Sequence, residues 1–244
     1  MQIDIVTIIP AVFDRVFDES VLGTAVKSGL ITVNVHNLRE YGEGKHRTLD
    51  DTPFGGGPGM LFKPAPLISC LTDLRNSGAP APVIGLTPRG HVFNQAMAKE
   101  LAAFDRLILV CGRYEGFDER IEDEFDLELS IGDYVLTGGE IPAMAIVDSV
   151  ARMIPGTVGS SDSVICDSFY DGLLDHPQYT RPADYEGYQV PDVLLEGNHS
   201  LIEQYRTFNS ILATAVLRPD MLAETELSAG DKRLFASQLK TLNN

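Results

Sequence analysis

Tryptophan is absent from this 244-residue chain, cysteine occurs three times, and basic residues are scarce, at 19 against 35 acids. Each shortage excludes something. Cys70, Cys111 and Cys166 are odd in number, far apart and without a Cys-x-x-Cys pair, which argues against a disulfide framework and a zinc knuckle. A reducing compartment suits such cysteines, so a cytoplasmic setting is expected. No stretch approaches the roughly 20 uninterrupted apolar residues that span a bilayer, so no membrane partner is expected. The opening Met1-Gln2-Ile3-Asp4 lacks the basic region of a signal peptide and reads as the first strand of a fold. The net charge of −16 argues against nucleic acid, because phosphate contacts need a basic footprint. That objection is global, not local, since screening confines exposed charges to about 8–10 Å at physiological salt. The acids crowd into the run Asp118–Glu128, while Arg39, Lys45, His46 and Arg47 cluster elsewhere.

What is present suits a folded protein. Hydrophobic residues make up 44% and charged residues 22%, enough apolar side chain for a core. Ile3–Ile9 is an apolar strand candidate closed by Pro10, and Phe13–Ser28 has helical spacing up to Gly29. Ile31–Val35 alternates with period two, as a half-buried strand does. Val83–Leu86 and Leu107–Val110 are short apolar runs closed by turn residues, the pattern of buried parallel strands. Helices are expected around Pro66–Leu74 and Asn94–Leu101, and over Ile141–Ile154 ahead of Pro155-Gly156. The alternation predicts an α/β fold with a mostly parallel sheet flanked by helices. It stops in the small, polar stretch Gly156–Ser163, which reads as a flexible linker. Beyond Pro191 two helices are expected, one capped by Asn198 and running to Leu217, the other opening at Ser228 with Asp231 three residues on. The expected division is an α/β domain over residues 1–157, a linker over 158–174 and a small helical C-terminal domain over 175–244.

Four glycine-bearing loops are the places where chemistry can sit. Thr52–Met60 holds Gly55-Gly56-Gly57-Pro58-Gly59 but lacks the Lys-Ser/Thr ending of a phosphate loop. By composition alone it is a surface turn more readily than a binding loop. Leu86–Gly90 and Cys111–Arg120 each follow a buried strand, and Ser130–Glu140 is the fourth. Ligands of open α/β sheets bind beyond the carboxyl ends of the strands, so the last three loops can jointly form one pocket. None fits the Gly-x-Gly-x-x-Gly dinucleotide fingerprint.

As an ordered set these segments resemble the tRNA (guanine-N1)-methyltransferase family. His46–Asp51, Gly55–Met60, Val110–Gly116 and Ser130–Leu136 carry the resemblance, with Asp167-Ser168-Phe169, Tyr179-Thr180-Arg181-Pro182 and Gly197-Asn198-His199. They keep the family's order and spacing over nearly the whole chain. The resemblance implies a SPOUT-type fold with a deep trefoil knot, which no pattern argument proposes because knots are so rare. It implies an obligate homodimer with active sites at the subunit interface. It also implies methyl transfer from S-adenosylmethionine to N1 of the guanine immediately 3′ of the tRNA anticodon, which maintains the reading frame. The donor is then expected against Leu86, Thr87, Pro88, Gly112, Tyr114 and Glu115, and against Ser130, Ile131, Gly132, Asp133, Tyr134, Val135, Leu136, Gly138, Gly139 and Pro142. The tRNA is expected against His46, Arg47, Asp50, Tyr114, Glu115 and His199. Activity is expected to depend on Mg²⁺, for which no dedicated cage is legible. Two departures keep bulk: Phe117 where many members carry isoleucine, and Tyr205 where many carry tryptophan. The sharper departure is charge, because Asp175–Asn244 holds ten acids and six bases.

Guanine N1 carries a proton at neutral pH, so attack on a methyl group requires a base and stabilisation of charge developing on O6. By resemblance Asp167 is the base and Arg152 the stabiliser. By itself Asp167 reads as a solvated linker acid, and Arg152 as a cation satisfying a helix C-terminus. Glu115 is expected to orient the guanine or the substrate backbone, or else is a surface acid in an acidic stretch, and Tyr114 offers a face to an unstacked base or packs half-buried. His199 either supports a helix start or contacts tRNA. The competing readings are another SPOUT enzyme acting on ribosomal RNA or a ribose hydroxyl, and a non-catalytic RNA-binding protein.

Overall fold

Five short segments rich in Val, Ile and Leu become the strands of one sheet. The computed structural model describes residues 1–159 and 164–242. They fall into two compact units divided between Ser161 and Asp162. In the first unit the chain runs β1 (Gln2–Thr7), α1 (Ser20–Lys27), β2 (Thr32–Asn37), β3 (Asp50–Asp51), β4 (Leu61–Phe62) and α2 (Pro64–Asn76). It continues through β5 (Val83–Val92), α3 (Gln95–Leu101), β6 (Arg106–Cys111), β7 (Leu127–Ser130) and α4 (Glu140–Met153). The sheet order is β2-β1-β6-β5-β7 and every pairing in it is parallel. Side chains alternate across a strand, so the central strands feed two cores. Ile3, Ile5, Leu107 and Leu109 meet Ala98 and Leu101 of α3 and Ala143, Ile146, Val147 and Val150 of α4. Val6, Ile108 and Val110 meet Leu67, Cys70, Leu71 and Leu74 of α2. Coverage of both faces is why β1 and β6 are buried nearly throughout.

Two local expectations change. The helical spacing of Phe13–Ser28 yields a 3-10 turn at Pro10–Phe13 and a helix only from Ser20. Arg15 and Ser20 adopt positive φ, which breaks the helix, while Phe13 and Phe17 remain in the core with stacked rings 5.9 Å apart. β7 has no counterpart in the strands read from the sequence, because its Leu-Glu-Leu-Ser sits inside the acidic run. It is an edge strand, where alternating charge is tolerated.

At the amino end of the sheet lies a buried ionic hub. Asp4 accepts from Arg106 Nε at 2.7 Å, Gln2 Nε2 at 2.8 Å and Asn34 Nδ2 at 3.0 Å, with His36 Nε2 at 2.8 Å. Arg106 also donates Nη1 to the carbonyls of Leu74 and Ala79 at 2.9 and 3.0 Å, tying the end of α2 to the sheet.

The second unit is built on the helix His199–Leu217, capped by Asn198, with shorter helices Pro219–Glu224 and Ala229–Leu242. Phe208 and Ile211 are its buried apolar residues, and Phe208 meets Phe235 at 5.6 Å. The segment before the long helix is fastened to it. Thr214 Oγ1 accepts from the Leu174 amide at 2.9 Å, and Ser210 Oγ donates to the Leu174 carbonyl. Ser168 Oγ accepts from the Asp175 amide at 2.8 Å. A two-strand hairpin, Asp184–Tyr185 with Tyr188–Gln189, occupies the turn-rich stretch. Of the linker read from the sequence, residues 160–163 lie outside the described residues.

Candidate active site

The carboxyl ends of β5, β6 and β7 frame a cavity of about 520 Å³. Its first wall is an excursion of β5. Leu129 of β7 pairs with both Leu86 and His91, so Thr87-Pro88-Arg89-Gly90 leaves the ladder and bulges outward. The second wall follows β6. Here Gly112 is held so close to β5 that a Cβ on it would stand 2.7 Å from the Leu86 carbonyl oxygen. The third wall is the loop from Ser130 to Gly139, which turns back onto β6. The Gly139 amide donates to the Gly112 carbonyl at 2.8 Å, and a Cβ at Gly139 would stand 2.7 Å from Cys111 Cα. These glycines are therefore required by close approach of backbone to backbone.

Charge is layered beneath and around the cavity. Glu140 opens α4, where the helix dipole favours an acid. It is 4% exposed, accepts from Thr7 Oγ1 at 2.8 Å, and lies 3.5 Å from Arg113 Nε, itself buried without a hydrogen bond. Cys111 is no nucleophile, since burial first and then the Glu140 charge push its thiol far up. At the mouth Arg89 faces Glu119 at 3.7 Å and Glu128 at 4.0 Å, and is paired with Glu122. Tyr114 adopts positive φ and is exposed. Burial of its hydroxyl, then the Asp50 charge and the hydrogen bond it donates to Asp50, raise the phenol.

The structure brings together all but one of the residues expected around the donor. Leu86, Thr87, Pro88, Gly112, Tyr114, Glu115, Ser130, Ile131, Gly132, Tyr134, Val135, Leu136, Gly138, Gly139 and Pro142 line this cavity, while Asp133 is exposed outside the lining. Sequence reasoning missed Leu61, Arg89, Arg113, Gly116, Phe117, Glu119, Leu129 and Thr137. Most of these flank named motif residues, so the signal was their adjacency. Asp50 joins the site through Tyr114, whereas His46 and Arg47 are exposed on the turn ahead of β3. Arg152 sits in the last turn of α4. Pro142, in the cavity wall, is ten residues earlier, about 15 Å back along the axis at 1.5 Å per residue. Asp167 is half-buried in the second unit, and His199 is the exposed first residue of the long helix there.

Among the described residues no group of three or more His, Cys, Asp or Glu side chains could hold a metal ion. No helix among them is long and apolar enough to cross a membrane. The family model described as tRNA (Guanine-1)-methyltransferase TrmD matches residues 1–224. Proteins named tRNA (guanine-N(1)-)-methyltransferase are similar along nearly their whole length. That of Geotalea uraniireducens is 50% identical, covering 95% of this chain and 94% of the relative. Those of Syntrophotalea carbinolica and Dictyoglomus turgidum are both 49% identical, covering 96% and 99% of this chain and 95% and 98% of the relatives. A match of that extent, on a sheet whose strand ends carry the expected loops, makes this chain a member of the tRNA (guanine-1)-methyltransferase family.

Proposed function

We propose that this chain transfers a methyl group from S-adenosylmethionine to N1 of the guanine immediately 3′ of the anticodon in tRNA, in the cytoplasm. The observation that carries the reading is the convergence of three motif loops on one cavity at the strand ends. The cavity fits the donor. Its volume lies within the roughly 300–1,000 Å³ of small-molecule sites. Leu86, Ile131, Leu136 and Pro142 offer apolar surface to a purine, and Glu115 and Glu119 offer carboxylates to a cationic end. Glycine-rich walls present main-chain amides and carbonyls. When bound, S-adenosylmethionine supplies an electrophilic methyl group on a sulfonium centre.

The chain's own residues supply the rest of the chemistry. Asp167 takes the proton from N1, and Arg152 holds the charge that develops on O6. Tyr114, kept protonated and tied to Asp50, faces the target base together with Glu115. Mg²⁺ dependence belongs to the same reading, but the described residues offer no cage to fit the ion, and no step runs through it.

The placement of Arg152 supports a site shared by two copies, within a knotted SPOUT fold. Arg152 and the cavity wall stand at opposite ends of α4, so for Arg152 to act at the cavity it would come from a neighbouring copy. Val135 in the cavity wall and Ile141 at the start of α4, both exposed, are apolar surface for that neighbour to cover.

The test is transfer to tRNA transcripts with and without two guanines spanning the 3′ end of the anticodon, read as a primer-extension stop at the N1-methylated base. A stop only on the guanine-bearing transcripts is expected. Methylation elsewhere, or none, would sink the reading. In mixed dimers, an Asp167→Ala chain and a chain disabled in Gly112–Glu115 should restore one active site in two. No activity in verified heterodimers would mean that each site is built within one chain.

A further inference from the structure

Of all the described side chains outside the cavity, Phe54 is the most conspicuous. It is a large aromatic residue and is fully exposed. Its position follows from the local turn. The Gly56 amide donates to the Pro53 carbonyl at 3.2 Å, and Gly55 between them has φ of 85°. Such a turn needs positive φ at its third residue and turns its second residue, Phe54, outward at the corner. The turn tops a hairpin whose stem is the β3–β4 ladder, with Asp50 opposite Phe62 and Asp51 opposite Leu61.

The stem is fixed to the cavity wall. The Glu115 amide donates to the Met60 carbonyl at 2.9 Å, and the Phe62 amide donates to the Gly116 carbonyl at 3.1 Å. The Phe62 ring meets Tyr114 edge-on at 5.3 Å and stacks with Phe117 at 5.7 Å, and both partners line the cavity. Gly59 lies against the Glu115 side chain. At the other end of the short ladder, Lys45 and Arg47 are exposed on the preceding turn. A stem bonded to the cavity wall thus carries an uncovered aromatic ring at the turn of its hairpin, with exposed cations on the turn that precedes it.

Resting on the function proposed above, we propose that Phe54 is a positioning residue that stacks on the RNA base left behind when the target guanine leaves its stack to enter the cavity. N1 lies on the pairing edge, and bringing it against a donor held in the cavity requires the base to be extruded, which costs stacking with its neighbour. An aromatic ring restores that stacking without reading sequence, because every base has a π-face. An unpaired base is thereby the occupant matched to this ring. A second protein copy is the rival occupant.

Phe54→Ala should lower kcat/KM for tRNA by roughly 5- to 100-fold, the range expected for loss of one base–aromatic stack. The loss should fall on KM more than on kcat. Donor affinity by calorimetry and the melting temperature should not change, and Phe54→Tyr should restore transfer. A transcript with 2-aminopurine next to the target guanine should stay dim on binding wild type or Phe54→Tyr, whose ring restacks the probe, and brighten on binding Phe54→Ala, which leaves it unstacked. Equal kcat/KM and equal brightening in wild type and Phe54→Ala overturn the proposal. So does a loss not rescued by tyrosine, or a loss accompanied by dissociation in sedimentation, which would assign the ring to a protein contact. Wild-type transfer measured in parallel separates the two levels. No N1-methylguanosine with wild type overturns the function and the stacking role together, whereas normal wild-type transfer with an indifferent Phe54 overturns the stacking role alone.

Discussion

At the amino end of the sheet one carboxylate, Asp4, gathers Gln2, Asn34, His36 and Arg106 from three neighbouring strands. At the carboxyl end the strands finish in loops whose fit is set by Gly112 and Gly139 and whose charged residues stand around an open cavity. The first region spends ionisable side chains on holding strands in register. The second leaves the main chain available to a ligand and sets its ionisable groups beneath the cavity, as with Glu140 and Arg113, and at its mouth, as with Arg89 and its acids. The same sheet therefore separates stability from chemistry by strand end, and substitutions should separate the same way.

Two aspartates test that separation most strongly. Asp167→Asn should cut methyl transfer by about 10²–10⁴-fold, the usual cost of losing a general base, while melting and donor affinity stay at wild-type values. Asp4→Ala should do the reverse. Removing one partner of a buried ion pair costs about 3–5 kcal/mol, so the melting temperature should drop sharply while the folded fraction retains its turnover at low temperature. Turnover lost in proportion to Asp4, or kept without Asp167, breaks the comparison.

Acid should expose the same asymmetry more gently. Burial works to raise the Asp4 carboxyl, but hydrogen bonds from His36, Asn34, Arg106 and Gln2 outweigh it and hold it well below the usual carboxylate range. A depressed folded value contributes stability in full above the unfolded value of about 3.9, and that contribution fades as pH falls below it. Thermal melts from pH 6 down to about pH 2 should show wild type losing its advantage over Asp4→Asn as the pH drops. Parallel curves would remove Asp4 from the acid response.

The smallest effect concerns the basic turn. Arg47→Ala should weaken tRNA binding and flatten the dependence of log affinity on log salt by about one unit, as for one phosphate contact, with donor affinity unchanged. An unaltered slope would place Arg47 with the structural residues and direct the search for phosphate contacts to the second unit.

Legibility in the sequence followed local chemistry. Val83–Leu86 and Leu107–Val110 are apolar enough to be read as buried strands, and the caps Asn198 and Ser228 marked helix starts that the structure bears out. β7 was hidden because an edge strand need not be apolar on both faces. The short α1 was overread because Phe13 and Phe17 keep helical spacing while the backbone at Arg15 leaves the helix. In the site, loops at strand ends were legible as a group. The pairing of Arg113 with Glu140 and the cluster of acids around Arg89 were not, since they depend on approaches between segments distant in sequence.

The clamp between the Gly139 amide and the Gly112 carbonyl bears on how the cavity responds to inhibitors. An inhibitor that reads side chains can be escaped by replacing them. One that bonds to the main chain of this cavity meets groups that every amino acid presents. Escape would have to reshape the backbone, and at Gly112 and Gly139 even one added carbon would stand 2.7 Å from backbone atoms. Mutational escape at these walls should therefore carry a loss of donor binding with it, so resistance and fitness are set against each other by two glycines.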